Sequence, residues 1–246
     1  MIMDNWTLFA FPLNLILALL WMFVWWILWK NHGKSILVRF MLSPAATVSS
    51  VALLLLCSLW IGFSAKNDFV TSIPFVLLLL YIQTVLYLVS LRRWKTPGGV
   101  VRWRFLLIHV GLLLALGSGF WGYPDSSESR VVLGRGDVAR DAYEPEGGVR
   151  ILPYSVYLHD FWTEYDGNGA PSEFSAVISI DEGSPAQITV NHPLNVGFGE
   201  DIYLASISDD HCILQIVREP WRYFALAGIL MLLAGAFMLF IKGPVK

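Results

Sequence analysis

Five stretches of this chain contain no Asp, Glu, Lys or Arg: residues 5–29, 40–65, 69–91, 105–124 and 223–241. A helix rises about 1.5 Å per residue, so roughly 20 apolar residues cross the ~30 Å hydrocarbon core of a bilayer. The stretches are 25, 26, 23, 20 and 19 residues long, and each suits one crossing. A water-soluble fold would have to bury five such helices inside a chain of only 246 residues. The sequence therefore predicts a membrane protein with five α-helical transmembrane spans. The first run does not read as a typical signal peptide: it lacks a basic start, is too long, and ends at Trp29-Lys30 without a small-residue cleavage site.

The charges are split between two regions. Residues 125–219 carry 17 acids and 5 bases, a net of −12, while the remainder carries 2 acids and 12 bases, a net of +10. The bases fall in alternate connections: Lys30, Lys34 and Arg39; then Arg92, Arg93, Lys95, Arg102 and Arg104; then Lys242 and Lys246. Five crossings put all of these on one side, and the positive-inside rule makes that side the cytoplasm. The N-terminus, the short loop around Lys66–Asp68 and the acidic segment are then expected outside, with the C-terminus in the cytoplasm. Four parts follow: a first transmembrane helix over 1–30, helices two to four with basic loops over 31–122, an extracytoplasmic domain over 123–219, and the last helix with its tail over 220–246.

The outer segment predicts a small β-rich domain between spans four and five. Phe174, Ala176, Ile178 and Ile180 alternate with Ser175, Val177, Ser179 and Asp181, the period of a strand with one buried face. Ala186–Val190, Asp201–Ile207 and Cys212–Val217 are further strand candidates. Turn-rich stretches separate them at 166–169, 181–185 and 195–199. Residues 123–149, rich in glycine and charge, are expected to be poorly ordered.

Within the spans, Trp21, Trp25 and Trp29 recur at spacing four and read as an interfacial aromatic belt. Gly111, Ala115 and Gly119 form a small-residue stripe that lets another helix approach. Cys57 and Cys212 fall on different elements and outside any CxxC motif, which gives no support to redox catalysis or structural zinc.

His109 is the one histidine within a span. Ionisable residues inside a membrane are costly and mark function, and a neutral imidazole ligates haem iron through one ring nitrogen. Leu113, Leu116 and Phe120 share its helix face, which suits a flat apolar macrocycle. The alternative is a histidine bonded to a neighbouring helix. His192, in Asn191-His192-Pro193-Leu194, and His159, beside Asp160 and Phe161-Trp162, are two further binding candidates outside the membrane. A turn is the plainer reading of the first, a surface histidine of the second. There is no phosphate-binding loop, no serine nucleophile near a histidine, and no basic surface beyond the orienting loops, so nucleotide hydrolysis, triad chemistry and nucleic-acid binding find no support. Arg135-Gly136-Asp137 reads as a chance match.

The order of motifs adds to this. Leu42-Ser43-Pro44 enters a span. A span with an early histidine, His109, leads to the β-rich segment. That segment holds Tyr154-Ser155-Val156-Tyr157-Leu158-His159-Asp160-Phe161, then Val190-Asn191-His192-Pro193-Leu194, then Gly199-Glu200-Asp201-Ile202-Tyr203. Arg218-Glu219-Pro220-Trp221 leads into the last span. In this order the chain resembles the ResB/CcsB family of system II cytochrome c biogenesis proteins, over roughly residues 40–241. The resemblance implies a subunit of a cytochrome c synthetase in the bacterial cytoplasmic (inner) membrane. It implies b-type haem bound transiently, with His109 as an axial ligand and a second ligand from a partner chain. The implied partners are a CcsA/ResC-type membrane protein, apocytochrome c and a thioredoxin-like reductant. The Trp-rich, Asp-containing haem-handling motif of the partner family is missing, so this chain is expected to be a non-catalytic subunit of the haem lyase. The other class of function left open is a membrane scaffold that binds extracytoplasmic proteins through its acidic domain.

Overall fold

A computed structural model describes residues 8–63, 72–145 and 147–242. The expected outer loop at Lys66–Asp68, both extreme termini and Lys246 lie outside the described residues. The chain forms two units, Met1–Pro124 with Trp221–Lys246, and Asp125–Pro220.

The first unit is helical: α1 (Leu13–His32), α2 (Ile36–Met41), α3 (Pro44–Phe63), α4 (Ile73–Arg93), α5 (Trp103–Gly122) and α6 (Arg222–Lys242). Among the described residues, five of these helices are long and apolar enough to cross a membrane. The exception, α2, corrects the sequence reading, because the uncharged run 40–65 is not one helix. Ser35 starts α2 by accepting the Val38 N–H at 3.3 Å. Ser43 then caps α3 by accepting the Ala46 N–H at 3.2 Å, with Pro44 as the first helical residue. A cap followed by proline restarts a helix in a new direction.

Small residues set the closest contact in this unit. A Cβ added to Gly111 would lie 2.7 Å from the Gly228 carbonyl oxygen, and one added to Gly228 would lie 2.7 Å from the Ala115 nitrogen. The backbones of α5 and α6 thus touch along Gly111 and Ala115, as the small-residue stripe predicts, whereas a Cβ on Gly119 would meet nothing within 4 Å. On α3 and α4, the Tyr81 hydroxyl donates to the Ala46 carbonyl at 3.0 Å.

One of the three spaced tryptophans of α1 packs between helices. Trp21 packs against Tyr87 of α4 and Trp121 of α5, with ring centroids 6.0 and 6.4 Å away. At Trp21 the stripe therefore touches neighbouring helices.

The second unit is a single eight-stranded antiparallel sheet in the order β5-β4-β3-β2-β1-β8-β7-β6. Its strands are β1 (Ser127–Leu133), β2 (Val138–Tyr143), β3 (Val149–Tyr165), β4 (Pro171–Ile180), β5 (Ala186–Thr189), β6 (Leu194–Gly197), β7 (Glu200–Ile207) and β8 (Cys212–Arg218). Strands β5 and β6 stand at opposite edges yet are joined by a four-residue turn, so the sheet must roll until its edges meet. It rolls around a core that includes Leu133, Leu152, Leu158, Phe161, Ile178, Ile202 and Leu214.

The described residues of 123–149 are largely strand, contrary to the sequence expectation of poor order. They supply β2 and the central strand β1. Ser129, Val131 and Leu133 are buried while Glu128, Arg130 and Val132 face out, so the charged residues masked a period-two pattern. β1 pairs with β8 in unbroken register from Ser127–Arg218 to Leu133–Cys212. Val196 and its neighbours, read as a turn, form the short edge strand β6. The Arg-Gly-Asp tripeptide is consumed internally: Arg135 pairs with Asp160 at 2.7 Å, and Asp137 accepts the Gly134 N–H at 2.8 Å.

Candidate functional site

His109 is the seventh residue of α5. The preceding connection fixes the start of that helix. Thr96 N–H donates to the Val100 carbonyl at 2.8 Å, Arg102 N–H donates to the Trp94 carbonyl at 2.8 Å, and Gly99 takes the positive φ of 81° that the tight turn needs. This small hairpin sets α5 antiparallel to α4.

The imidazole of His109 is held on two sides. Its Nδ1 lies 2.9 Å from the Phe105 carbonyl oxygen, one turn back on the same helix. A carbonyl only accepts, so Nδ1 carries the proton and Nε2 keeps its lone pair. The ring stacks on Phe105 with centroids 3.9 Å apart and planes 27° apart. A backbone bond at one ring nitrogen that leaves the other as donor to a metal is the usual arrangement of a coordinating histidine. Leu113, Leu116 and Phe120 on the same face are half-buried. The residues present therefore fit one axial position on a haem iron, beside an apolar face. Among the described residues, no group of three or more His, Cys, Asp or Glu gathers where a metal ion could sit.

The structure also reveals a polar relay that the sequence reading missed. Asn14 of α1 donates to the Trp121 carbonyl at 2.8 Å, and the Trp121 indole N–H donates to Gln83 Oε1 of α4 at 3.0 Å. Asn14 and Gln83 are both almost fully buried. The relay ties α1, α4 and α5 together, and the Gln83 amide nitrogen has no partner among the described residues. The available signal was an amide in the interior of each of two uncharged runs, Asn14 and Gln83.

The other two histidine candidates belong to different parts of the second unit, His159 to β3 and His192 to the turn between β5 and β6. His159 occupies a β-bulge: Leu158 pairs with Ile178 and Asp160 with Val177, leaving His159 without an opposite residue. Such bulges re-aim a side chain. His159 is exposed, with Nε2 3.2 Å from Ser179 Oγ and its ring edge-on to Tyr157 at 4.5 Å. His192 lies in the turn between β5 and β6. Its backbone exchanges hydrogen bonds with Thr189, and its side chain is exposed.

Two carboxylates of this unit are tuned by local bonds. Arg135, then the Phe161 N–H, hold the Asp160 carboxyl below its ordinary range. The Ser155 N–H and hydroxyl do the same for Asp181, which accepts both at 2.8 and 3.0 Å while adopting a φ of 51°. The Tyr154 hydroxyl donates to Glu200, and burial together with that carboxylate raises its pKa.

The Gly199–Tyr203 motif has a steric basis. Gly199 takes a φ of 71°, and a Cβ there would lie 2.7 Å from the Glu219 carbonyl oxygen. Glycine at this point lets the β6–β7 turn lie against the end of β8, where the Arg218–Trp221 motif begins.

The sequence model of the ResB-like family matches residues 97–213. A cytochrome c biogenesis protein CcsB from Synechococcus sp. (strain JA-3-3Ab) is 28% identical over 135 residues, 52% of this chain and 28% of that protein. Its counterpart from Synechococcus sp. (strain CC9311) is 33% identical over 119 residues, 47% of this chain and 26% of that protein. The chain thus spans little more than a quarter of the length of the curated relatives it matches. Among solved structures, the cytochrome c haem lyase CcmF aligns at 15% identity with a TM-score of 0.41, over 80% of this chain and 34% of that one.

Proposed function

Starting from the chain's identity as a ResB/CcsB-like protein, we propose that it is a haem-handling subunit of a cytochrome c maturation complex in a bacterial cytoplasmic membrane. The observation that carries this reading is His109, inside the matched region. Its Nδ1 proton is spent on the Phe105 carbonyl and its Nε2 is left as a donor within a span. Haem is the cargo, and its iron supplies the coordination site that an imidazole fills.

In this reading the protein's own residues bind and orient. The Phe105 carbonyl fixes the tautomer of His109, the Phe105 ring fixes its plane, and Leu113, Leu116 and Phe120 offer an apolar face for the macrocycle. The second axial ligand comes from a CcsA/ResC-type partner, which also performs the attachment to apocytochrome c. A thioredoxin-like reductant keeps the apocytochrome thiols reduced. The basic loops face the cytoplasm, as does the C-terminus. The acidic β-unit and the N-terminus face outward, with His159 and His192 as secondary contact points for haem or apocytochrome.

The test is the haem spectrum of the chain co-purified with its membrane partner. Wild type should show a six-coordinate haem signal, His109→Ala should lose it, and added imidazole should restore part of it. A haem-free wild-type complex, or an unchanged His109→Ala spectrum, overturns the assignment. The net charge of −12 on residues 125–219 favours one other reading, a scaffold for basic extracytoplasmic partners. That reading predicts a haem-free complex whose assembly weakens with salt.

A further inference from the structure

Where the α1–α2 corner, the start of α3 and the end of α4 meet, the helical unit has an open groove of about 430 Å³ lined by Trp29, Arg39, Leu42, Ser43, Pro44 and Arg92. It contains the Leu-Ser-Pro motif, which the haem reading does not use. Ser43 caps α3, the Leu42 carbonyl lies 3.5 Å from Arg92 Nη1, and the motif lines the groove together with Arg39 and Arg92.

Those two cations lack a counter-charge. Residues 8–63, 72–124 and 221–242 contain no Asp or Glu at all. The ion pairs among the described residues, Arg130–Glu128 and Arg135–Asp160, both lie in the β-unit. Arg39 and Arg92 are exposed to solvent and have no carboxylate partner among the described residues. No carboxylate among the described residues of the helical unit is available to neutralise them.

The surroundings narrow the chemistry of a counter-anion. Guanidinium forks bind phosphate with directed, charge-assisted hydrogen bonds. Trp29, half-buried, supplies an amphipathic ring of the kind that sits at headgroup level. Leu37, Phe40 and Val48, next to the groove on α2 and α3, are exposed apolar side chains. An anion with hydrocarbon chains matches both features, whereas free phosphate matches only the first. Basic pockets between transmembrane helices take anionic lipid headgroups for these reasons.

We propose that this groove is a binding site for the phosphate headgroup of an anionic phospholipid, held by Arg39 and Arg92 with its acyl chains along α2 and α3. The lipid would brace the α2–α3 corner against α4. This inference is independent of the haem reading.

The experiment titrates the delipidated full chain in neutral detergent with dioctanoyl phosphatidylglycerol, followed by native mass spectrometry. One molecule should bind saturably, and dioctanoyl phosphatidylcholine should bind far more weakly. Arg39→Gln with Arg92→Gln should lower the affinity by about tenfold or more. Lys30→Gln with Lys34→Gln, which removes equal charge beside the groove, should leave it nearly unchanged. Arg39→Lys with Arg92→Lys keeps the charge without the fork and should lose an intermediate amount. This pair decides the matter if the glutamine pair does not fold. Equal binding of the two lipids, or equal loss in both glutamine pairs, overturns the proposal. Displacement by inorganic phosphate at the lipid's own concentration would make this a small-anion site, and displacement by iron protoporphyrin would give it to the haem propionates. Either result also overturns the proposal.

Discussion

The contact between α5 and α6 gives a prediction whose sign depends on a single helix position. Gly111→Ala adds a methyl that would lie 2.7 Å from the Gly228 carbonyl, 2.9 Å from Met231 Cβ and 3.0 Å from the Leu232 nitrogen. Ordinary contact begins at 3.4 Å, so the two backbones must separate by about 0.7 Å. The oxygen and nitrogen belong to helix backbone and cannot turn away as a side-chain end could. A gap of about 0.5–1 Å forfeits a quarter to a half of each dispersion contact along the seam, and overpacking of this kind costs about 1–3 kcal/mol. Gly119→Ala makes the same chemical change eight residues on, where nothing lies within 4 Å. It should gain up to about 1 kcal/mol from helix propensity. Reversible unfolding of the two variants in mixed micelles should separate them by about 1–3 kcal/mol, with Gly111→Ala the less stable. Adding Gly228→Ala to Gly111→Ala should cost less than the two single changes together, because one separation accommodates both methyl groups. Equal stability of Gly111→Ala and Gly119→Ala, or strict additivity of the pair, would refute the close backbone contact.

Further outcomes concern the β-unit. Asp160 and Asp181 have depressed carboxyl pKa values in the folded state. Their contribution to stability is therefore complete above the ordinary carboxylate pKa of about 4 and is lost as pH falls through the folded values. The melting temperature of the β-unit in the full chain should drop on acidification, and Asp160→Asn with Asp181→Asn should flatten that drop. An equally steep acid loss in the double variant would count against it. Cys212 is buried, and burial pushes its thiol up to about 11. In a Cys57→Ser background at neutral pH it should resist maleimide until denaturant is added, and complete labelling of the native chain would contradict the buried position on β8.

Legibility from sequence varied with the physical signal. The spans were plain because charge is nearly forbidden in hydrocarbon, so its absence delimits them; α4, α5 and α6 begin and end one to four residues from the bounds of the uncharged runs. The α2–α3 break was not read, since Ser43-Pro44 carries no charge and a run defined by charge passes through it. In the sheet, β4 was read from Phe174–Ile180 because apolar residues alternate there with small ones, although Ser175 and Ser179, expected on the open face, are buried as well. β1 was missed because Glu128 and Arg130 stand on the outward face of a strand whose inward face starts with a serine. His109 could be named from its place in a span, but the tautomer that makes Nε2 available depends on the Phe105 carbonyl one turn away. The Arg39–Arg92 groove joins residues far apart in the chain, and no spacing rule links them.

The register of β1 with β8 bears on how the protein is made. Ser127 finds its partner Arg218 roughly ninety residues later, so the strand synthesised first in this unit waits for the one synthesised last. Until then β1 presents a free edge, open to pairing with other chains. Loop-closure entropy across that distance makes the closing step slow. By the time β8 arrives, the next residues to leave the ribosome are those of α6, whose small-residue face fits α5. Sheet closure and insertion of the final helix therefore fall in the same interval of biosynthesis. A factor that shields the β1 edge would act in that interval and be dispensable afterwards.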